Sequence, residues 1–252
     1  KYPYPAIEAT KQKFGYFTQE EPLYTRIATE LGIGKTSIGW MRHPLAYLVE
    51  AADDICYEIM DMEDAHKLKI LSFEQTRDLM LGFVSPDRRT HIIERAADTA
   101  DLNEQVAYFR SCAIGALEHE CVRVFVEHEE EILNGSFHGS LIDAACPLIH
   151  DAYKACVKVA TSRIYRSRDV VDTELAGYKI IYTLMGLFIH AAMNPQHAYS
   201  HLLLDRVSSQ YEVKHPDTYV RIMAVLDYLS GMTDVFALDL YRKINGESLP
   251  MI

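Results

Sequence analysis

Carboxylates that could bind a metal ion are concentrated in one stretch of this chain, His43 to Asp64. At 100° per residue, Glu50, Asp53, Tyr57, Asp61 and Asp64 fall within a helical arc of roughly 80°, with Asp54 close beside them. Leu45, Leu48, Val49, Ala52, Ile55, Cys56 and Ile59 take the opposite side and are expected to face a core. A charged stripe is commonly the solvated face of an amphipathic helix. Two details weigh against that here. Aspartate is a poor mid-helix residue, because its short side chain competes for backbone hydrogen bonds. Like charges at i,i+3 and i,i+4 also repel, and no Lys or Arg lies between Glu50 and Asp64 to offset them. The spacing leaves both readings open: a solvated face, or carboxylates set against a divalent cation.

The elements that must position this stripe are helical. Beyond Arg42, apolar residues recur at helical spacing with few Gly or Pro and no sustained alternation, which predicts an all-α body. Helices are expected over about Pro44 to His66, Ser72 to Phe83, Pro86 to Ala97, Asn103 to Leu133, Ser140 to Ala145 and Pro147 to Arg166. Four more are expected over Asp172 to Met193, Pro195 to Asp205, Asp217 to Ser230 and Thr233 to Ile244. Pro44, Pro86 and Pro147 suit first-turn positions, and Gly135, Gly139, Gly231 and Gly246 stand where breaks belong. Residues 1–40 read as a loop-rich lead-in, and residues 41–252 as the helical domain.

Composition narrows the function classes. The chain has 252 residues, 49% of them hydrophobic, with 25 Lys+Arg against 36 Asp+Glu for a formal charge of -11, so it has the material for a sizeable core and is not disordered. The acidic balance argues against a dedicated duplex-DNA binder, which needs cations against phosphates. The apolar run Ile180 to Met193 falls short of the roughly 20 residues needed to span a bilayer and reads as a buried helix. Five scattered cysteines without a C-x-x-C pair suggest neither a disulfide framework nor a zinc site, as in a cytosolic protein. Lys1 to Pro5 has no apolar segment behind it and does not read as a signal peptide.

Two long strings carry a family resemblance. Glu50-Ala-Ala-Asp53-Asp54-Ile55-x-Tyr57, continued by Asp61-x-Glu63-Asp64, and Asp227-Tyr-Leu-Ser-Gly-Met-Thr-Asp234, continued by Ala237-Leu-Asp-Leu-Tyr241, resemble the deoxyguanosine triphosphate triphosphohydrolases of the HD-domain superfamily. Weaker matches lie at Lys1-Tyr2, Lys13-x-Gly15-Tyr16 and Glu174-Leu175-x-Gly177-Tyr178. The resemblance implies an HD-type helical bundle and a divalent metal, Mg, Mn or similar. It also implies a deoxynucleoside triphosphate, with dGTP favoured, converted to deoxynucleoside and triphosphate. Residue by residue, it implies that Asp53 completes the metal site, with Asp54 the alternative one position on. Tyr57 packs against the deoxyribose, leaving no room for a 2′-hydroxyl, and Asp61 lies near the 3′-hydroxyl. Lys1, Tyr2 and Lys13 hold the triphosphate, and Glu174 accepts from the guanine edge. Partners implied are the nucleotide and further copies in a homo-oligomer, for which the long helix from Asn103 to Leu133 could supply an interface. No membrane is implied, the location is cytoplasmic, and single-stranded DNA is a minor alternative that the charge does not support.

The family's upstream His, its His-Asp pair and the residues that manage the attacking water have no counterpart before Lys1. The chain therefore resembles the carboxyl-terminal half of such an enzyme and is expected to contain no catalytic residue of its own. A rival reading is a non-catalytic deoxynucleotide-binding or regulatory subunit; a third is an HD-type phosphodiesterase acting on nucleoside monophosphates. His150-Asp151 imitates the superfamily pair, but Asp53 precedes it and adjacent helical residues diverge by about 100°, so it is read as structural. His43 is expected at a helix start. The Glu127 to Glu131 run and the Arg163, Arg166, Arg168 group read as exposed helix ends.

Overall fold

The computed structural model describes residues 16–36 and 39–248, which form eleven α-helices and one short strand pair. The first helix, α1 (Glu21–Glu30), has Pro22 in its first turn, where the missing N–H costs nothing. It is followed by β1 (Lys35–Thr36), antiparallel to β2 (Gly39–Trp40), with Lys35 opposite Trp40. The lead-in thus holds more regular structure than its composition predicts. Its aromatics are the reason, since Tyr24 packs on Tyr16 with ring centroids 4.5 Å apart and meets Trp40 edge-on at 6.4 Å.

Contacts divide the chain between Ser167 and Arg168, inside the span read as one helical domain. The first unit is built from α2 (Pro44–Lys67), α3 (Phe73–Leu81), α4 (Pro86–Ala96), α5 (Leu102–Glu127), α6 (Glu129–Asn134) and α7 (Pro147–Val159). Starts carry the expected chemistry. His43 Nδ1 accepts from Leu45 N–H at 3.1 Å, Ser72 and Gln75 cap each other reciprocally, and Asp101 accepts from the amides of Asn103 and Glu104. The core brings Ile59 and Met62 of α2 together with Met80, Phe83, Phe109, Leu117, Ile132 and Leu141. Helix α5 buries Val106, Phe109, Ala113, Leu117, Cys121 and Val124 along one face.

Three expected helices differ. The span Asn103 to Leu133 breaks at His128, which ends α5 and precedes α6; Gly135, at φ +76°, closes α6 in the left-handed cap that favours glycine. Ser140 to Ala145 forms turns rather than a helix. There Ser140 and Asp143 satisfy each other's groups at 2.9–3.3 Å, and Pro147 follows too soon for a second turn. Helix α7 has no side-chain cap at Cys146. Its start is held instead by Glu120, whose carboxylate accepts Cys146 N–H at 2.6 Å and pairs with Arg123. The Arg123 guanidinium and that amide pull the Glu120 carboxyl down to about 2. After Val159 the backbone widens into a π-helical turn, Ala160–Ile164, a departure frequently found at functional sites.

The second unit contains α8 (Arg168–Met193), α9 (Ala198–Leu204), α10 (Thr218–Ser230) and α11 (Asp234–Ile244). Leu184, Phe188, Ala191 and Ala192 of α8 pack with Leu203, Leu204, Val225, Leu229 and Leu240. Arg221 of α10 ties this core shut, donating to the carbonyls of Ala192 at 2.7 Å, His215 at 2.7 Å and Pro216 at 2.8 Å, and to Thr218 Oγ1 at 3.0 Å. Helix α8 starts four residues before the expected Asp172 and corrects the reading of its apolar run, Ile180 to Met193, as a buried helix. It is 26 residues long and, by length and composition, apolar enough to cross a membrane, yet only those four residues are buried.

Candidate functional site

Helix α2 sets the geometry. Its buried residues are Tyr47, Ala51, Ile55, Glu58, Ile59, Met62, Glu63 and Ala65, while Leu45, Val49, Ala52 and Cys56 are exposed. The core face is therefore rotated from the one expected. Tyr47 and Met62 draw it round: the Tyr47 hydroxyl donates to the Phe137 carbonyl at 3.3 Å and its ring packs edge-on against Phe137. Glu58 and Glu63 are carried inside with them. Glu63 is met there by Arg110 and by Lys67, at 2.5 and 2.8 Å, and these cations hold its carboxyl below the usual range despite burial.

The outward stripe survives the rotation. Asp53, Tyr57 and Asp64 are exposed, Tyr57 to 67%, and Glu50, Asp54 and Asp61 are half-buried. The missing cations come from outside the segment: Arg42 pairs with Glu50 at 2.8 Å, and Lys67 approaches Asp64 at 3.5 Å. Asp61 Oδ2 accepts the Tyr165 hydroxyl at 2.5 Å. Asp53 alone of these carboxylates has neither a hydrogen bond nor an ion pair among the described residues, whereas Asp54 is engaged. One face of α2 thus presents a free carboxylate, an open phenol ring and a hydroxyl-bound carboxylate at i, i+4 and i+8, a line of about 12 Å.

Tyr165 is the site residue that the sequence alone does not reveal. It follows the π-helical turn, which is anchored by Arg163 donating to the Ile70 carbonyl at 2.8 Å, so Arg163 is a structural tie rather than a free helix end. Burial first, and the bond to Asp61 second, push the Tyr165 phenol well above its ordinary value, so it remains a donor. A tyrosine beside Arg163 and Arg166 carries no signal of partnership with a residue 104 positions earlier.

Between Tyr57 and Asp61, on the inner side of the same helix, sits Glu58. It is 7% exposed, and its Oε1 is shut from solvent and accepts no hydrogen bond. Burial, then the charges of Asp61 and Asp54, raise its carboxyl to about 7. Tyr153 and Cys156 of α7 lie within its field, the Cys156 thiol being pushed up to about 12 by burial and then by Glu58. Neither residue type nor spacing distinguishes Glu58 from the solvated carboxylates around it.

Lys1, Tyr2 and Lys13, expected to hold the triphosphate, lie outside the described residues. Glu174 is exposed on α8, in the second unit. Among the described residues, no three His, Cys, Asp or Glu side chains gather in a group that could hold a metal ion. Asp53, free and exposed, fits as one ligand; these residues do not make a metal site by themselves. His150 and Asp151 lie against each other at 3.5 Å, Asp151 largely in solvent.

The comparisons with known proteins agree with this architecture. Residues 147–243, from α7 into α11, match the family model of a phosphohydrolase-associated domain. Over nearly its whole length the chain is similar to proteins named deoxyguanosinetriphosphate triphosphohydrolase-like: 31% identical to one from Synechocystis, covering 94% of this chain and 53% of that protein. A Pseudomonas aeruginosa relative is 29% identical, covering 99% of this chain and 59% of its own length. A Yersinia pestis protein named deoxyguanosinetriphosphate triphosphohydrolase is 28% identical over 92% of this chain and 54% of its own. The chain is thus similar, over nearly its whole length, to proteins named deoxyguanosinetriphosphate triphosphohydrolase or deoxyguanosinetriphosphate triphosphohydrolase-like, and it spans about half the length of the curated relatives it matches.

Proposed function

We propose that this chain forms the deoxynucleotide-holding part of a metal-dependent triphosphohydrolase, acting in the cytoplasm on a deoxynucleoside triphosphate, with dGTP the favoured substrate. The observation that carries the reading is the α2 stripe, in which Asp53 stands free at one end and Asp61 is held by Tyr165 at the other. In this reading Tyr57 offers its open ring to the sugar, where an added 2′-hydroxyl would collide. Asp61 accepts the sugar 3′-hydroxyl with one oxygen while Tyr165 fixes the other. Asp53 supplies one ligand to a divalent ion, Mg, Mn or similar, whose remaining ligands lie outside this set. When bound, such an ion supplies charge stabilisation at the phosphate and an activated water. Lys1, Tyr2 and Lys13 are assigned to the triphosphate by resemblance.

Product analysis tests the reading. The protein, at the full length of its relatives, is incubated with dGTP and Mn, and phosphorus NMR follows the products. Free triphosphate with deoxyguanosine is expected. Release of phosphate or pyrophosphate, or binding without turnover, would overturn the assignment, and the second outcome would favour a regulatory subunit. Within the site, Tyr165→Phe removes one hydrogen bond to a charged acceptor. It is expected to lower kcat/KM for the deoxynucleotide about tenfold, chiefly through KM, with a melting temperature lowered by only a few degrees.

A further inference from the structure

We infer that Met41 is a positioning residue, which docks the strand pair of the lead-in on the end of α6 so that the triphosphate and the sugar of one nucleotide are held in fixed relation. The inference rests on the proposed function, which places the triphosphate on the lead-in and the sugar on α2. What carries it is a slot between two glycines from distant parts of the chain. The Met41 amide donates to the Gly34 carbonyl at 2.9 Å, one step beyond the pairing of Lys35 with Trp40. Its side chain fills the space that a Cβ would take at both Gly34 and Gly135. A Cβ at Gly34 would overlap the Met41 sulfur, and one at Gly135 would lie 2.7 Å from its Cε and 2.8 Å from its Cγ. Approach this close is possible only because neither glycine carries a side chain.

The slot lies at the corner that orients α2. Gly135 ends α6 two residues before Phe137, whose carbonyl and ring are what Tyr47 of α2 meets. On the other side of Met41, Arg42 lies over the Tyr47 ring at 4.3 Å and pairs with Glu50, the first carboxylate of the stripe, at 2.8 Å. His43, next in the chain, caps α2. In the opposite direction the packing leads back toward Lys13. Trp40 meets Tyr24, Tyr24 packs on Tyr16, and Lys13 stands three residues before Tyr16 in the sequence. Each strand of the pair is only two residues long, too short to keep its place unaided. Once Met41 leaves the slot, the lead-in has to be ordered anew whenever the triphosphate binds, and that cost falls on the triphosphate alone. The sugar end is spared, because α2 and the Tyr165 bond to Asp61 fix it.

Calorimetry on the protein at the full length of its relatives gives the test, with inorganic triphosphate and deoxyguanosine as separate probes of the two ends. Met41→Ala and Gly34→Ala are each expected to weaken triphosphate binding about tenfold and to leave deoxyguanosine binding within about twofold of wild type. Gly34 is not in the left-handed region, so alanine there acts by expelling Met41 and not by straining the backbone. Met41→Leu conserves volume and is expected to bind both probes as wild type does. Equal weakening of both probes would reduce Met41 to general support of the fold. Unchanged triphosphate binding in Met41→Ala and Gly34→Ala would detach it from the site. Either result overturns the inference and leaves the proposed function standing. Wild type that binds neither probe would overturn the proposed function, and the inference with it.

Discussion

Glu58→Gln is expected to stabilise the first unit above neutral pH by about 3 kcal/mol and to leave it unchanged near pH 4. The carboxyl is raised from 4.5 to about 7 in the folded chain, so the folded state keeps a proton that the unfolded state has lost. Below pH 4.5 both states hold it and the wild type has its full stability. Between 4.5 and about 7 that stability drains away as pH rises, and above 7 the loss is complete. Glutamine resembles the protonated acid in shape but cannot ionise, so its unfolding free energy is flat across the same window. Urea unfolding of wild type and variant, followed at pH 4.5, 6 and 8 through the single Trp40 in the first unit, checks this. Equal pH dependence in the two proteins would show that Glu58 is better solvated than its 7% exposure indicates. Glu120 acts with the opposite sign. Its carboxyl is depressed, so its contribution is present above pH 4.5 and is lost as pH falls toward about 2. Only the difference between variant and wild type isolates Glu58.

Arg221→Met is expected to cost the second unit about 3–5 kcal/mol. Arg221 is 9% exposed, and its guanidinium makes four hydrogen bonds, three of them to main-chain carbonyls. One of these, Ala192, lies in the last turn of α8, where carbonyls lack a helical partner. Methionine fills the volume of the stem but strands these acceptors out of water. Lysine keeps the charge yet cannot reach all of them from one nitrogen, so Arg221→Lys should recover only part of the loss. Because Trp40 reports the other unit, the measurement is amide hydrogen exchange along α8 and α10. Faster exchange is expected there, and unchanged exchange in α2 and α5. Protection of α8 equal to wild type would mean that the apolar core alone fixes that helix end.

Much of the fold was legible because its signals are local. Pro44 behind His43, Ser72 before Gln75 and Asp217 before Tyr219 announce helix starts that the structure places within a residue or two. What was not legible depends on distant packing. The wheel of α2 separates acidic from apolar residues but cannot say how far the core reaches round it. Tyr47 finding the Phe137 carbonyl decided that, exposing Leu45 and Val49 and burying Glu58. In the candidate site, Asp53, Tyr57 and Asp61 could be found from spacing and resemblance. Tyr165 could not, because a π-helical turn leaves no mark in composition and its partner lies on another helix. The cations that temper the acidic stripe, Arg42 and Lys67, were missed for a related reason: they flank the segment, and Arg110 comes from α5 to meet Glu63 on the inner side.

In the proposed reading the free carboxylate of the α2 stripe, Asp53, serves the nucleotide chemistry, while its neighbour Asp54 is engaged within the chain. The direct test compares Asp53→Ala with Asp54→Ala in the protein at the full length of its relatives, measuring dGTP hydrolysis alongside melting temperature. Asp53→Ala is predicted to abolish turnover with its melting temperature unchanged, since the side chain is exposed and has neither a hydrogen bond nor an ion pair among the described residues. Asp54→Ala is predicted to retain turnover and to melt earlier. Full activity in Asp53→Ala, with loss of activity at an unchanged melting temperature in Asp54→Ala, would contradict the account.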